Sequence, residues 1–286
     1  MTQIVYLNGD FLPIEQAKIS VMDRGFLFGD GVFEVIPIYS GKPFRLREHL
    51  HRLQTSLDSI LLKYKVDCDF FAKIVSELLQ KNFFQNPDQD FSIYLEITRG
   101  AASERTYSFP DKTNPTIFAA IKPVKRISIE ELTKGKSAIT LQDIRWKDCY
   151  IKSISLLAGV LLSQQAKEAG ADEAILIRHG FAIEGASSNL FIVKDGVIIT
   201  PPLSRNTLSG ITREMILKII KDQKLAFKET SIKLSELKQA DEVWVSSSTR
   251  TIFPITKLNG KSVGNGKVGQ IWQKIIKSYF IFSRQE

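Results

Sequence analysis

The chain has 286 residues, 43% of them hydrophobic, enough to bury a sizeable core in one large domain or two of moderate size. Its formal charge of +8 suits anionic small molecules, but the basic residues are scattered without a long Lys/Arg block, so no nucleic-acid or membrane partner is expected. Cys68 and Cys149 lack disulfide-framework or metal spacing, and no apolar run reaches transmembrane length, so a metal-free, cytoplasmic protein is the expectation.

Asn8-Gly9 between residues 4–7 and 11–14 predicts a hairpin, because that dipeptide adopts the positive φ angles a two-residue turn requires. Residues 32–39 and 43–46, flanking Ser40-Gly41-Lys42, read as another. Apolar residues at helical spacing predict helices over 48–61 and 70–81, with strands at 92–98 and 116–121. His49 and His51 fall in the first of these helices among charged neighbours, which predicts a solvated face rather than a metal pair. The polar stretch 123–135 reads as a connection, giving two domains, 1–123 and 124–286, with the boundary near Val124.

In the second half, 137–143 and 173–177 read as strands around an amphipathic helix at 154–169 that ends at Gly170. Asp195-Gly196 joins strands at 190–193 and 197–200, a helix follows Gly210 over 211–221, 243–247 is strand-like, and 266–282 is a terminal helix. Strands cluster with intervening helices rather than alternating regularly, which predicts an α+β fold, mixed α/β, with a helix-packed sheet or barrel-like sheet in each domain.

Three local features carry chemistry. Glu184 lies in Glu184-Gly185-Ala186-Ser187-Ser188-Asn189, where small neighbours admit a flat group beside the backbone and the carboxylate can hold a proton on a ring nitrogen; a solvated strand corner is the plainer reading. Lys152 has Ile151 before it and Ile154 to Leu157 close behind. A buried amine loses charge and can attack a carbonyl to form a Schiff base, whereas a lysine snorkelling from an element end cannot. Leu208-Ser209-Gly210-Ile211-Thr212 puts a glycine turn before a helix, so the amides of Ile211 and Thr212 can face a phosphate. The hydroxyls of Ser247, Ser248 and Thr249 and the guanidinium of Arg52 are further anion-binding groups.

Asp23-Arg24-Gly25-Phe26-Leu27-Phe28-Gly29-Asp30-Gly31-Val32-Phe33-Glu34, Glu48-His49-Leu50-His51-Arg52-Leu53, Tyr150-Ile151-Lys152-Ser153, Glu184 to Asn189 and Gly210-Ile211-Thr212-Arg213 resemble the fold-type IV pyridoxal-phosphate enzymes. The matches follow family order and cover nearly the whole chain. Within that family Thr98-Arg99-Gly100, residues 105–110 and Asp143-Ile144-Arg145-Trp146 resemble the D-amino-acid aminotransferases. The resemblance implies the two-domain fold-type IV architecture and pyridoxal 5'-phosphate as cofactor. It implies Lys152 as the Schiff-base lysine and proton carrier, Glu184 as partner of the pyridine nitrogen, Arg52, Ile211, Thr212 and Ser248 around the phosphate, and Leu208 against the ring. The implied reaction is ping-pong transamination between a D-amino acid and a 2-oxo acid, for example D-alanine with 2-oxoglutarate.

The substrate positions depart from that pattern. Arg105 matches the family's carboxylate-gripping arginine, but Tyr107 stands where a histidine is usual and Phe33 where a tyrosine is usual. Tyr107 can donate a hydrogen bond; Phe33 cannot. Branched-chain L-amino-acid aminotransferases and aminodeoxychorismate lyases share the Lys152 and Glu184 positions, so both stay open as alternatives, as does a non-enzymatic anion- or nucleic-acid-binding protein. The resemblance further implies a homodimer in which the Arg105 loop enters the partner subunit's site.

Overall fold

A computed structural model describes residues 2–83, 89–125 and 127–285. Contacts group the chain into two compact units, Met1–Arg126 with Ile151–Ser155, and Ile127–Tyr150 with Leu156–Gln285.

The first unit contains β1 (Ile4–Leu7), β2 (Asp10–Pro13), α1 (Arg24–Phe28), β3 (Gly31–Tyr39), β4 (Lys42–Pro43), α2 (Leu46–Ser59), α3 (Cys68–Phe83), β5 (Asp90–Thr98) and β6 (Thr116–Val124). Its six-stranded antiparallel sheet has the order β2-β1-β6-β5-β3-β4. The first hairpin turns through Asn8 at φ 51° and Gly9 at φ 111°, as the dipeptide predicts. β4 is shorter than expected because Arg45, at φ 54°, turns the chain into α2 at Leu46.

Alternation along β3, β5 and β6 decides which face is covered. Val32, Ile36, Ile93, Leu95, Ile97, Ala119 and Ile121 pack with Leu50, Leu53 and Leu57 of α2 and Phe71, Ile74 and Leu78 of α3. Each buried leucine or isoleucine contributes about 1.5–3 kcal/mol. Phe33, Val35, Tyr94, Glu96, Phe118 and Ala120 occupy the opposite face and are only half-buried.

A single boundary near Val124 does not describe the chain. Ile151–Ser155 returns to the first unit: Phe33 N–H donates to Lys152 O at 3.0 Å, Ile154 N–H to Gly31 O at 3.1 Å, and Val32 and Ser153 form a bridge. Ile151 joins the apolar core beneath β3. The short segment joins β3 through an isolated bridge and places Lys152 with β3 rather than with the second unit.

The second unit contains α4 (Ile129–Leu132), β7 (Lys136–Gln142), α5 (Leu157–Glu168), β8 (Glu173–Arg178), β9 (Phe181–Gly185), β10 (Asn189–Lys194), β11 (Val197–Thr200), α6 (Ile211–Asp222), β12 (Phe227–Glu229), β13 (Ile232–Lys233), α7 (Leu234–Lys238), β14 (Glu242–Ser247), β15 (Thr251–Leu258), β16 (Lys261–Ser262) and α8 (Gln270–Gln285). Its ten-stranded mixed sheet runs β12-β11-β10-β14-β15-β7-β8-β9-β13, with β16 on β15. Ile175, Ile177, Leu190, Ile192, Val243, Val245 and Ile255 form its core. α5 starts three residues later than the expected helix, at Leu157, because Ile154 is engaged by Gly31. β15 escapes sequence reading because Pro254 interrupts it; the proline is tolerated in this interior strand beside a register shift at Ile255/Lys257. No helix among the described residues is long and apolar enough to cross a membrane.

Candidate active site

In the first unit, Lys152 is half-buried and its Nζ lies 4.1 Å from the centroid of the Phe33 ring. Phe33 stacks in turn on Tyr94, with centroids 5.6 Å apart and planes 29° apart, and Tyr94 Oη donates to Glu96 Oε2. The ring that replaces a hydroxyl-bearing residue thus flanks the candidate nucleophile as an apolar wall.

Behind β3, Glu34 is fully buried and receives Arg52 Nε and Nη2 as a fork, both at 2.7 Å, with His49 Nδ1 also at 2.7 Å. His49 is therefore buried at 0% exposure, not on a solvated face: it lies three residues before Arg52, so one face of α2 directs both side chains to the same strand carboxylate. His51 is the exposed member of the pair. Burial alone raises the Glu34 carboxyl, but the Arg52 charge and the bonds from Arg52 and His49 bring it down to about 2. Burial lowers the His49 pKa despite the carboxylate beside it.

This arrangement gives a pH signature. Glu34 holds its proton less tightly in the folded chain than at its ordinary 4.5, so its contribution is complete above pH 4.5 and is lost as pH falls toward about 2. Glu34→Ala, which withdraws the carboxylate from the buried Arg52 guanidinium, is expected to cost about 3–5 kcal/mol in a urea titration at neutral pH. The variant should also lose this acid-range slope; an unchanged midpoint contradicts the assignment.

Arg105 and Tyr107 are exposed, Tyr107 at 85%, and both rest on Phe28: the Arg105 guanidinium is 5.2 Å from that ring and the Tyr107 ring 5.5 Å from it. Their backbone is held from within. Buried Arg24 pairs with Asp30 at 2.8 Å and donates to the carbonyls of Thr106 at 2.7 Å and of Tyr107 and Ser108 at 3.3 Å. Arg99 also pairs with Asp30 and lies 3.8 Å over Phe109. The loop is thereby ordered although its tip faces outward.

In the second unit, Glu184 is 3% exposed near the end of β9. Its Oε1 accepts from Arg145 Nη1 at 2.7 Å, and its Oε2 accepts from Asn189 Nδ2 and Leu208 N–H, each at 3.1 Å. Arg145 is anchored in turn by Asp143, and Arg178 also pairs with Asp143. Burial raises the Glu184 carboxyl, and Arg145 offsets part of that rise. These three donors leave capacity for another, since a carboxylate offers about four acceptor sites.

The start of α6 lies against the same group. A Cβ at Gly210 would fall 1.9 Å from Asn189 Oδ1, so any side chain there would displace Asn189, and the first-turn amides of Ile211 and Thr212 have no capping side chain before them. Asn189 also donates to Leu208 O at 2.9 Å and pairs across the sheet with Ser246, two residues before half-buried Ser248. Glu184, Leu208, Ile211 and Thr212 thus share one neighbourhood: a buried carboxylate beside a bare helix N-terminus, which suits a flat cationic ring carrying an anionic tail. Lys152, Phe33 and Arg52 belong to the other unit. Among the described residues no group of His, Cys, Asp and Glu is placed to hold a metal ion.

The residues that hold these candidates went unassigned at the level of sequence. Glu34 carried a usable signal, a lone carboxylate in the apolar run of β3. Arg145 and Asn189 lie in segments that carry the family resemblance, but their bonds to Glu184 are set by the fold.

Comparison with known proteins shows the family of the chain. Residues 31–258 match the family model described as amino-transferase class IV. A D-alanine aminotransferase of Staphylococcus epidermidis is 42% identical over 276 residues, 96% of each chain, and one of Bacillus licheniformis is 37% identical over 271 residues, 95% of this chain and 94% of that protein. Among solved structures, a T.th. branched-chain amino acid aminotransferase with pyridoxamine 5'-phosphate superposes with a TM-score of 0.91 at 26% identity, covering 100% of this chain and 95% of that one. With the α+β fold and the matched segments in order, the chain belongs to the class IV aminotransferase family.

Proposed function

We propose that the protein uses pyridoxal 5'-phosphate to transfer an amino group between D-amino acids and 2-oxo acids, such as from D-alanine to 2-oxoglutarate. The cofactor reading is carried by the buried Glu184 carboxylate with its remaining acceptor capacity beside the bare start of α6. The D-substrate reading is supported by 42% identity to a D-alanine aminotransferase.

When bound, the cofactor supplies an aldehyde that condenses with amines and a ring that takes up electrons from the substrate's α-carbon. Lys152 Nζ is the amine that would hold the cofactor, and when free it would be the base that takes up and gives back the substrate's α-proton. The Phe33 ring covers one side of that amine. Glu184 accepts the ring N–H, with Arg145 keeping the carboxylate oriented. Arg52, the amides of Ile211 and Thr212 and the Ser248 hydroxyl are the groups that would hold the phosphate, with Leu208 against the ring.

The active form in this reading is a cytoplasmic homodimer. Leu157, Val160 and Leu161 of α5 are 72%, 59% and 47% exposed and lie on one side of the helix, opposite buried Leu162 and Ala166. Such an apolar stripe suits a second copy of the chain, and the ordered Arg105 loop is available to grip a substrate carboxylate in that copy. Val160→Asp is expected to shift sedimentation toward monomer and to lower activity with it; a wild-type protein that sediments as an active monomer contradicts the dimer.

Purified protein is expected to show a visible absorption band bleached by borohydride, with the added mass on the peptide containing Lys152. Absence of both after incubation with pyridoxal 5'-phosphate overturns the cofactor reading.

A further inference from the structure

In the second unit, one side chain ties the hairpin tip that offers Ser248 to the loop that follows Glu184. β14 and β15 close on the pair Ser247 and Thr251, which leaves Ser248, Thr249 and Arg250 as their connection. Thr251 sits at φ 59°, a left-handed conformation that a β-branched residue holds only where its surroundings impose it. Local bonds supply part of that constraint: Arg250 N–H donates to Ser247 Oγ at 3.3 Å, and Thr251 Oγ1 donates to Arg250 O at 2.6 Å. The Arg250 guanidinium reaches beyond the tip. Its Nη2 donates to Glu173 Oε2 at 2.9 Å and to Ser187 Oγ at 2.8 Å.

Glu173 is the fixed end of this tether. It is buried at the start of β8, where its Oε1 accepts from Ala174 N–H and its Oε2 also accepts from Ser188 Oγ, each at 3.0 Å. The receiving loop is tight, because Gly185 N–H donates to Ser188 O at 2.6 Å and a Cβ at Gly185 would collide with Ser188 Oγ. That loop begins at Glu184 and ends at Asn189, whose amide braces the Glu184 carboxylate. The Arg250 side chain is 34% exposed and its carboxylate partner 5%, so their attraction is screened less than that of a surface pair.

We infer that Arg250 is a positioning residue for the cofactor phosphate: it fixes the tip at 247–251 against the loop after Glu184 and so holds the Ser248 hydroxyl where an anionic tail can receive it. The inference rests on the cofactor reading given above. The Arg250 charge is matched by Glu173, so the residue acts through Ser248 rather than as a phosphate ligand.

The test titrates apoprotein with pyridoxal 5'-phosphate and with pyridoxal, which lacks the phosphate, and follows the visible absorbance. Arg250→Ala is expected to weaken binding of pyridoxal 5'-phosphate by about tenfold, as for one lost hydrogen bond to a charged group, and binding of pyridoxal by less than about twofold. Adding Arg250→Ala to Ser248→Ala should cost little beyond Ser248→Ala alone, because both changes remove the same contact. Ser187→Ala removes one of the two bonds from Nη2 and spares the buried carboxylate. It should shift the ratio of the two affinities in the same direction, and it serves if Arg250→Ala folds poorly. In a folded variant, equal weakening of both ligands, or of neither, overturns the role of Arg250, and so does a fully additive loss in the double variant. Failure of the wild-type apoprotein to bind pyridoxal 5'-phosphate sinks the underlying cofactor reading instead.

Discussion

Lys152→Ala is expected to lower transamination by at least about 10⁴-fold, the upper range of what a positioned general base contributes, since the same Nζ also anchors the cofactor. Folding should survive the change. The segment is tied to β3 through its backbone, where Lys152 O accepts the Phe33 N–H at 3.0 Å, and alanine keeps that bond. Truncation removes the ammonium from over the Phe33 ring, an interaction worth about 0.5–1 kcal/mol where partly exposed. Activity should therefore vanish while the urea midpoint moves little. Steady-state kinetics beside a denaturation curve checks both halves, and normal turnover in the variant removes Lys152 from the mechanism.

Glu184→Gln is expected to reduce kcat by about 10²–10³-fold, the usual loss when one preorganised electrostatic partner is removed from a buried site. The geometry explains why so small a change matters. Every donor around Glu184, namely Arg145 Nη1, Asn189 Nδ2 and the Leu208 amide, points at a carboxylate oxygen. A glutamine presents its NH₂ to at least one of them, donor against donor, and no longer offsets the Arg145 charge from this side. A stability loss of about 1–3 kcal/mol should accompany the kinetic one. Glu184→Asp keeps the charge on a shorter arm and should fall between the two. A glutamine variant with kcat within twofold of wild type contradicts the role given to this carboxylate.

Local chemistry made much of the fold legible. Asn8-Gly9 and Asp195-Gly196 both turn hairpins, the second through Asp195 at φ 50° and Gly196 at φ 76°. The apolar spacing of α2, α3 and α6 reflects the faces they bury. Features decided by distant partners were hidden. Ile151–Ser155 pairs with β3, more than a hundred residues away, and nothing in its own composition says so. Charged neighbours made His49 read as solvated, whereas its environment is set by Glu34 on another element. The candidate site follows the same division. Glu184 and Lys152 stand out through small or apolar neighbours and gain roles through a family resemblance, whereas the stacking of Tyr94 on Phe33 is set by strand register alone.

Phe33 bears on both the reacting amine and the choice of substrate. It cannot donate to a substrate carboxylate, which leaves that task to Arg105 and Tyr107 on a loop whose backbone Arg24 holds. The same ring faces Lys152. The fold neighbour at TM-score 0.91 is a branched-chain aminotransferase, whereas the relative at 42% identity is a D-alanine aminotransferase, so stereochemical preference is the point on which the substrate reading stands or falls.

The most direct test is the single-turnover half-reaction of the holoenzyme with D-alanine and with L-leucine, followed by the loss of the visible absorption band and by the 2-oxo acid formed. The proposed function predicts rapid consumption of D-alanine with stoichiometric pyruvate, and little reaction with L-leucine. Rapid reaction with L-leucine and none with D-alanine would contradict it and assign the chain to the branched-chain activity instead.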